Sequence, residues 1–194
     1  MRRGAWRGPA LGLLVAALAL SRCGEAGDRL PGGEAEQAAE LTARVIDVVD
    51  GDTIEVELPD GSEEDVRYIG IDTPETAKPD SPAECGAPRA SAVNGQLVGG
   101  REVSLRFGAE RRDDYGRLLA YVFVAPPGPG RRPVFVNAEL VRRGLARPLT
   151  IAPNDARAAL FERLATRAAQ AGRGLWGACT LSSTPSEAPP VPGG

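Results

Sequence analysis

Residues 45–71 read VIDVVDGDTIEVELPDGSEEDVRYIGI, and this stretch decides the fold. Val45, Val48, Val49, Ile54, Val56 and Leu58 flank Asp50-Gly51-Asp52. Short apolar runs broken by Asp-Gly are the mark of paired strands. Pro59-Asp60-Gly61 supplies the next turn, because proline presets one corner and glycine tolerates the other. Val66 to Ile71 then returns as a third strand.

The same reading extends outward. Val103, Leu105 and Phe107 alternate with polar residues, and Leu118 to Val124 is a nearly continuous apolar run suited to a central strand. Pro88 suits the first turn of a helix through Val98, which Gly99-Gly100 stops. A short helix is expected over Asn137 to Arg143. A longer one starts at Asn154 or Asp155 as cap and buries Leu160, Phe161, Leu164 and Ala168 at helical spacing. The expected fold is mainly β with helices: a five-stranded Greek-key barrel with about three helices around it.

The chain of 194 residues has 42% hydrophobic and 25% charged residues, which is globular composition with room for one core. It contains no histidine, which excludes Ser-His-Asp triads, paired-histidine ribonuclease chemistry and histidine-ligated metal sites together. Chemistry must therefore rest on carboxylates, arginines or hydroxyls. Three cysteines allow one disulfide and one remaining thiol.

Charge is segregated along the chain. Residues 42–98 hold four bases against thirteen acids, whereas residues 99–180 hold fourteen bases against seven acids. An acidic half beside a basic half suggests a cation site next to an anion site. At the N-terminus, Arg2, Arg3 and Arg7 precede the apolar run Ala10 to Leu20, so residues 1–22 read as a signal peptide. Ala17-Leu18-Ala19 offers a cleavage pattern, and Cys23 raises the alternative of a lipid anchor, against which Arg22 stands where lipoprotein signals need a small residue. Residues 23–40 read as a flexible acidic linker, residues 41–181 as the folded domain, and residues 182–194 as a disordered Pro/Gly-rich tail. The expected location is secreted or at the cell surface.

Three segments concentrate the chemistry: Asp50-Gly51-Asp52-Thr53; Arg67 through Glu75, ending in a tight acidic turn; and Asp113-Asp114-Tyr115-Gly116-Arg117. Each alone reads as an ordinary turn. Together they meet the needs of phosphodiester hydrolysis, in which negative charge builds on phosphate oxygens. Two carboxylates and a backbone carbonyl make a hard-oxygen site for calcium or magnesium. Two arginines supply bidentate donors that stay protonated. Glu75, three residues after Asp72 and across Pro74, is placed to reach a water without being a metal ligand.

The combination DGDT, RYIGIDTPE and DYGRLLAY, with VNAELVRRGLA and a closing GLW, resembles the staphylococcal nuclease (thermonuclease) family over about Leu41 to Trp176. The resemblance implies an OB-fold barrel and calcium-dependent cleavage of DNA and RNA to 3'-phosphate ends, with magnesium compatible by residue type. It implies Asp52, Asp72 and the Thr73 carbonyl as metal ligands. Arg67 and Arg117 match the catalytic arginines, Glu75 the general base, and Tyr115 a residue lining the nucleotide pocket. Asp50 is expected to assist from behind the ligands.

The chain also departs from that pattern. Where the family often has a tyrosine after its GLA segment, this sequence has Ala146 to Ile151 without one. The loop Thr76 to Ala87 holds one lysine, and Pro126 to Arg132 lengthens a hairpin. Cys85 and Cys179 are expected to form a disulfide, as exported domains tend to oxidise such pairs. A lipid anchor at Cys23 is the one membrane link expected, and no protein partner beyond the monomer is implied. The competing function is a nucleic-acid-binding OB-fold module of weak or no activity. Such a binder would be free to lose Glu75 or Arg117, and both are present beside both aspartates.

Overall fold

The computed structural model describes residues 40–128 and 130–179. The expected signal peptide and tail lie outside these residues, as does all of the expected linker except Glu40. Strand β1 (Glu40–Val48) pairs antiparallel with β2 (Thr53–Glu57), which pairs with β3 (Glu63–Tyr68). Ile54 and Val56 are fully buried while Glu57 is exposed, so the period-two pattern lays one face of β2 on the core. β1 also pairs with β5 (Glu102–Arg112), and β5 with β6 (Leu118–Val124).

β3 and β6 then run parallel, with Val66 opposite Leu118 and Tyr68 opposite Ala120. That pairing closes the five strands into a barrel and removes the free edges an open sheet would expose. Between β3 and β5 the chain passes through β4 (Ile71–Asp72) and helix α1 (Ala87–Val98). After β6 come β7 (Val134–Phe135), α2 (Val136–Arg142), β8 (Arg147–Pro148), α3 (Ala158–Gln170) and α4 (Leu175–Ala178). β4 pairs with β8, placing Asp72 opposite Arg147.

Leu118, Ala120, Val122 and Val124 are buried along β6, and so is Tyr121 on its other face. That outer face is covered by the helices: the Phe161 ring of α3, itself fully buried, lies 6.5 Å from Tyr121 and 5.8 Å from Phe135. This double burial explains the unbroken apolar run of β6. Among the described residues no helix is long and apolar enough to cross a membrane.

The barrel strands match the expected five, and three two-residue strands join them. Four helices are described where about three were expected; α4 spans four residues, too few to show a periodicity. The expected cap of α3 is also corrected. The helix begins at Ala158 behind Arg157 with no side-chain cap. Asn154 instead turns to β5, where its Oδ1 accepts from the Glu110 N–H at 3.0 Å and its Nδ2 donates to the Glu110 carbonyl at 2.9 Å. A primary amide satisfies both backbone groups of one strand residue, which a helix cap could not do.

Candidate active site

The turn after β1 is built for close approach. A Cβ at Gly51 would lie 2.6 Å from Thr73 Oγ1 and 2.8 Å from Ala90 Cβ, so only glycine fits. The Asp52 N–H donates to Asp50 Oδ1 at 2.9 Å, which gives Asp50 a role in shaping the turn. Asn94, fully buried on α1, donates from Nδ2 to the Asp50 carbonyl at 2.9 Å and accepts from the Tyr68 hydroxyl at 2.9 Å. Strand, turn and helix are thus tied through one amide.

Asp52 is buried, with 4% of its surface exposed. Its Oδ2 accepts from the Thr73 backbone N–H at 2.6 Å and from Thr73 Oγ1 at 3.0 Å. Its Oδ1 meets Arg67 Nη1, and Arg67 Nη2 donates to Asp72 Oδ1 at 2.8 Å. One guanidinium therefore bridges the two aspartates. Burial pushes the Asp52 carboxyl up to about 6 against the opposing pull of Arg67, and the nearby Asp50 charge pushes in the same direction as burial.

Arg67 also lines a cleft of about 320 Å³ together with Arg117, Tyr115, Leu149 and Ile151. Arg117 Nε donates to Asp113 Oδ2 at 2.8 Å, and its guanidinium lies 5.5 Å from the Tyr115 ring centre. The same Asp113 carboxylate accepts the Arg117 and Tyr115 backbone N–H groups at 3.0 Å each, so it closes the hairpin and aims the arginine. Tyr115 is 86% exposed.

The structure thus joins Asp52, Asp72, Thr73 and Arg67 by direct bonds, and sets Arg117 and Tyr115 in the same cleft as Arg67. Glu75 stands apart from these bonds: its carboxylate pairs with Lys78 Nζ at 2.9 Å on an exposed loop. That loop is held by the Glu75 N–H donating to Glu84 Oε2 at 3.1 Å and the Glu84 N–H to the Glu75 carbonyl at 2.9 Å. Cys85, next in sequence, is joined to Cys179 with 2.14 Å between the sulfurs.

Among the described residues no three carboxylates or thiolates converge as a ready cage. The donor set nonetheless suits a hard divalent cation. Asp52 and Asp72 already converge on a single cationic group, Arg67, so both are within reach of one cation. Asn94 is absent from the residues that the sequence singles out; a lone polar residue amid the apolar positions of α1 is the signal that could have found it.

Comparison with known proteins gives the arrangement its context. Residues 65–178 match the family described as staphylococcal nuclease homologue, a span that contains Arg67, Asp72, Glu75 and Arg117. The thermonuclease of Staphylococcus hyicus is 34% identical over 139 residues, covering 72% of this chain and 78% of that protein. The thermonuclease of Staphylococcus intermedius is 36% identical over 129 residues, covering 66% and 72% respectively. Endonuclease YncB of Bacillus subtilis is 44% identical over 100 residues, 51% of this chain and 44% of that protein. With more than half of its length matched, the chain belongs to the staphylococcal nuclease homologue family.

Proposed function

We propose that the protein is an exported, calcium-dependent nuclease that hydrolyses phosphodiester bonds of DNA and RNA to leave 3'-phosphate ends. The observation that carries this reading is Arg67, anchored on Asp52 and Asp72 and facing the cleft that it shares with Arg117. Two fixed guanidiniums on one cleft match a phosphate that gains charge as water attacks.

Asp52, Asp72 and the Thr73 carbonyl would hold the metal, which supplies charge neutralisation at the phosphate; magnesium is compatible with the same oxygen donors. Arg67 binds the nonbridging oxygens and, tethered at two points, loses little further freedom on doing so. Arg117 engages the opposite side, with its direction set by Asp113. Glu75 accepts a proton at its carboxylate from the attacking water, once Lys78 gives up its pairing to it. The new P–O bond forms as the bond from phosphorus to the 5'-oxygen breaks, and that oxygen takes up a proton. Tyr115 offers its exposed ring to a base.

The cleft also contains Glu110, Asp113 and Asp114. These carboxylates repel a phosphate strand, so binding in the cleft is expected to need the divalent cation. Export is part of the same proposal, supported by the arginines before Ala10 to Leu20 and by the disulfide; mass-spectrometric sequencing of the mature N-terminus tests it.

The deciding experiment is cleavage of single-stranded DNA by the full chain in calcium, magnesium or chelator, beside Asp52→Ala/Glu75→Ala. Metal-dependent cleavage lost in the variant is expected. Folded protein that binds DNA but cleaves in no metal overturns the proposal and leaves the binding-module reading.

A further inference from the structure

A second basic feature lies where the catalytic residues do not. A cavity of about 580 Å³ is lined by Arg89 of α1, Arg142 and Arg143 at the end of α2, and Arg173 between α3 and α4. Val93 and Leu145 supply its apolar lining, and it shares no lining residue with the catalytic cleft. Four arginines from three parts of the chain thus surround one opening.

Their charges are only partly neutralised. Glu139 takes a two-pronged pair from Arg142, at 2.7 and 2.5 Å, and a single bond from Arg143 Nε at 2.7 Å. Arg89 and Arg173 pair with no carboxylate among the described residues. Arg173 Nη1 instead donates to the Arg142 carbonyl at 3.2 Å, which draws two of the arginines together. An anion in the cavity would complement the charges of Arg89 and Arg173, which no carboxylate among the described residues offsets.

The walls are also fixed in advance. The turns at Gly144 and Gly174 cross so closely that a Cβ on Gly144 would lie 2.3 Å from the Arg173 carbonyl oxygen and one on Gly174 2.3 Å from the Gly144 carbonyl oxygen, and the Leu175 N–H donates to the Gly144 carbonyl at 2.8 Å. This crossing pins the end of α2 to the turn carrying Arg173. The Cys85–Cys179 bond pins α4 to the chain just before α1, four residues from Arg89. A site assembled from three pinned elements binds with a smaller ordering cost than flexible surface arginines would.

We infer that this arginine-lined cavity is a second phosphate-binding site, which holds the phosphodiester backbone of a nucleic acid strand outside the catalytic cleft. The inference rests on the nuclease reading for the identity of the polyanion. Guanidinium forks suit phosphate oxygens bidentately. The opposite charge elsewhere restricts the approach, since Glu55, Glu57, Glu63 and Asp65 crowd the paired strands β2 and β3. A long strand held at the cavity stays near the cleft between cuts, so long substrates gain affinity that short ones lack.

The test compares wild type, Arg89→Gln/Arg173→Gln and Arg89→Lys/Arg173→Lys. Fluorescence anisotropy follows oligonucleotides of about 30 and about 4 nucleotides, in chelator so that the cleft contributes little. For the long strand, the Gln variant should bind about ten-fold more weakly, with a salt slope lower by about 1.4, about 0.7 for each single-strand phosphate that is no longer neutralised. The Lys variant should recover part of that affinity, and circular dichroism of all three should agree. The short strand, which offers fewer phosphates, should bind more weakly than the long one to all three, and most weakly to the Gln variant. Equal long-strand binding by wild type and the Gln variant overturns the proposal, as does no measurable long-strand binding by wild type. Tight binding of heparin without binding of DNA also overturns it. Cleavage in calcium is read separately: its absence from every protein defeats the nuclease reading, while the anisotropy still decides the cavity.

Discussion

Asn94 Nδ2 donates to the carbonyl oxygen of Asp50 at 2.9 Å, across 44 residues of chain, and so a helix side chain holds the turn that carries Asp52. The same amide accepts from the Tyr68 hydroxyl. Burial raises the phenol of Tyr68 far above its ordinary range, which keeps it protonated as a donor. Asn94→Leu leaves the buried Tyr68 hydroxyl and the part-buried Asp50 carbonyl without this bond and should cost about 2 to 4 kcal/mol. Tyr68→Phe should cost about 1 kcal/mol. Urea unfolding checks both: the midpoint should fall while the slope stays unchanged.

Arg67→Lys keeps one positive charge but loses the planar fork that spans Asp52 and Asp72. kcat on single-stranded DNA should fall about 100-fold or more, and Arg117→Lys should behave similarly. Steady-state kinetics decides this. A loss confined to KM would mean that the arginines bind the ground state and transition state equally.

Asp47, Glu55 and Asp65 form a row across three strands, with Asp47 opposite Glu55 and Glu55 opposite Asp65; Glu57 similarly faces Glu63. Directly opposed like charges destabilise a sheet. Glu55→Gln should therefore raise stability by about 0.5 kcal/mol in dilute buffer, and this gain should shrink in high salt. Thermal midpoints at two ionic strengths measure it.

Burial alone would raise the Glu139 carboxyl, but Arg142 and Arg143 outweigh it and hold the group below the usual carboxylate range. A carboxyl depressed on folding stabilises the protein above its unfolded pKa, and that contribution is lost as pH falls through the folded value. Glu139→Gln should thus be less stable than wild type at neutral pH, with the gap closing in acid. Urea midpoints from neutral pH down to about 3 trace the difference.

The Cys85–Cys179 bond spans 94 residues of chain. In the chain-entropy account, closing so long a loop contributes about 4 to 5 kcal/mol. Reduction, or Cys85→Ser/Cys179→Ser, should lower the unfolding midpoint by a corresponding amount. A reduced protein of unchanged stability would show that the barrel constrains this loop by itself.

Much of the barrel is legible in the chain. Ile54, Val56, Val66, Val103 and Leu105 alternate with polar neighbours because one face of each strand meets the core. The residues proposed for chemistry are legible only in combination, since each acidic turn alone reads as an ordinary turn. Short elements are not legible: β4, β7, β8 and α4 span two to four residues and owe their form to what they pack against. Nor is the start of α3, because Asn154 finds two backbone partners on β5, 44 residues away in the chain, in place of the helix end.

By itself, then, the sequence determined the inward faces of the barrel strands, where the turns fall, and that any chemistry must proceed without histidine. Local sterics and hydrophobic periodicity act over a few residues, and both are written into the order of the chain. Only the tertiary structure decided that β3 closes onto β6, that Arg67 stands between Asp52 and Asp72, and that four separate arginines surround one cavity. Those relationships join residues far apart in sequence, and no local preference encodes them. They exist because closing the barrel and packing its helices brings distant segments into hydrogen-bonding and Coulombic range.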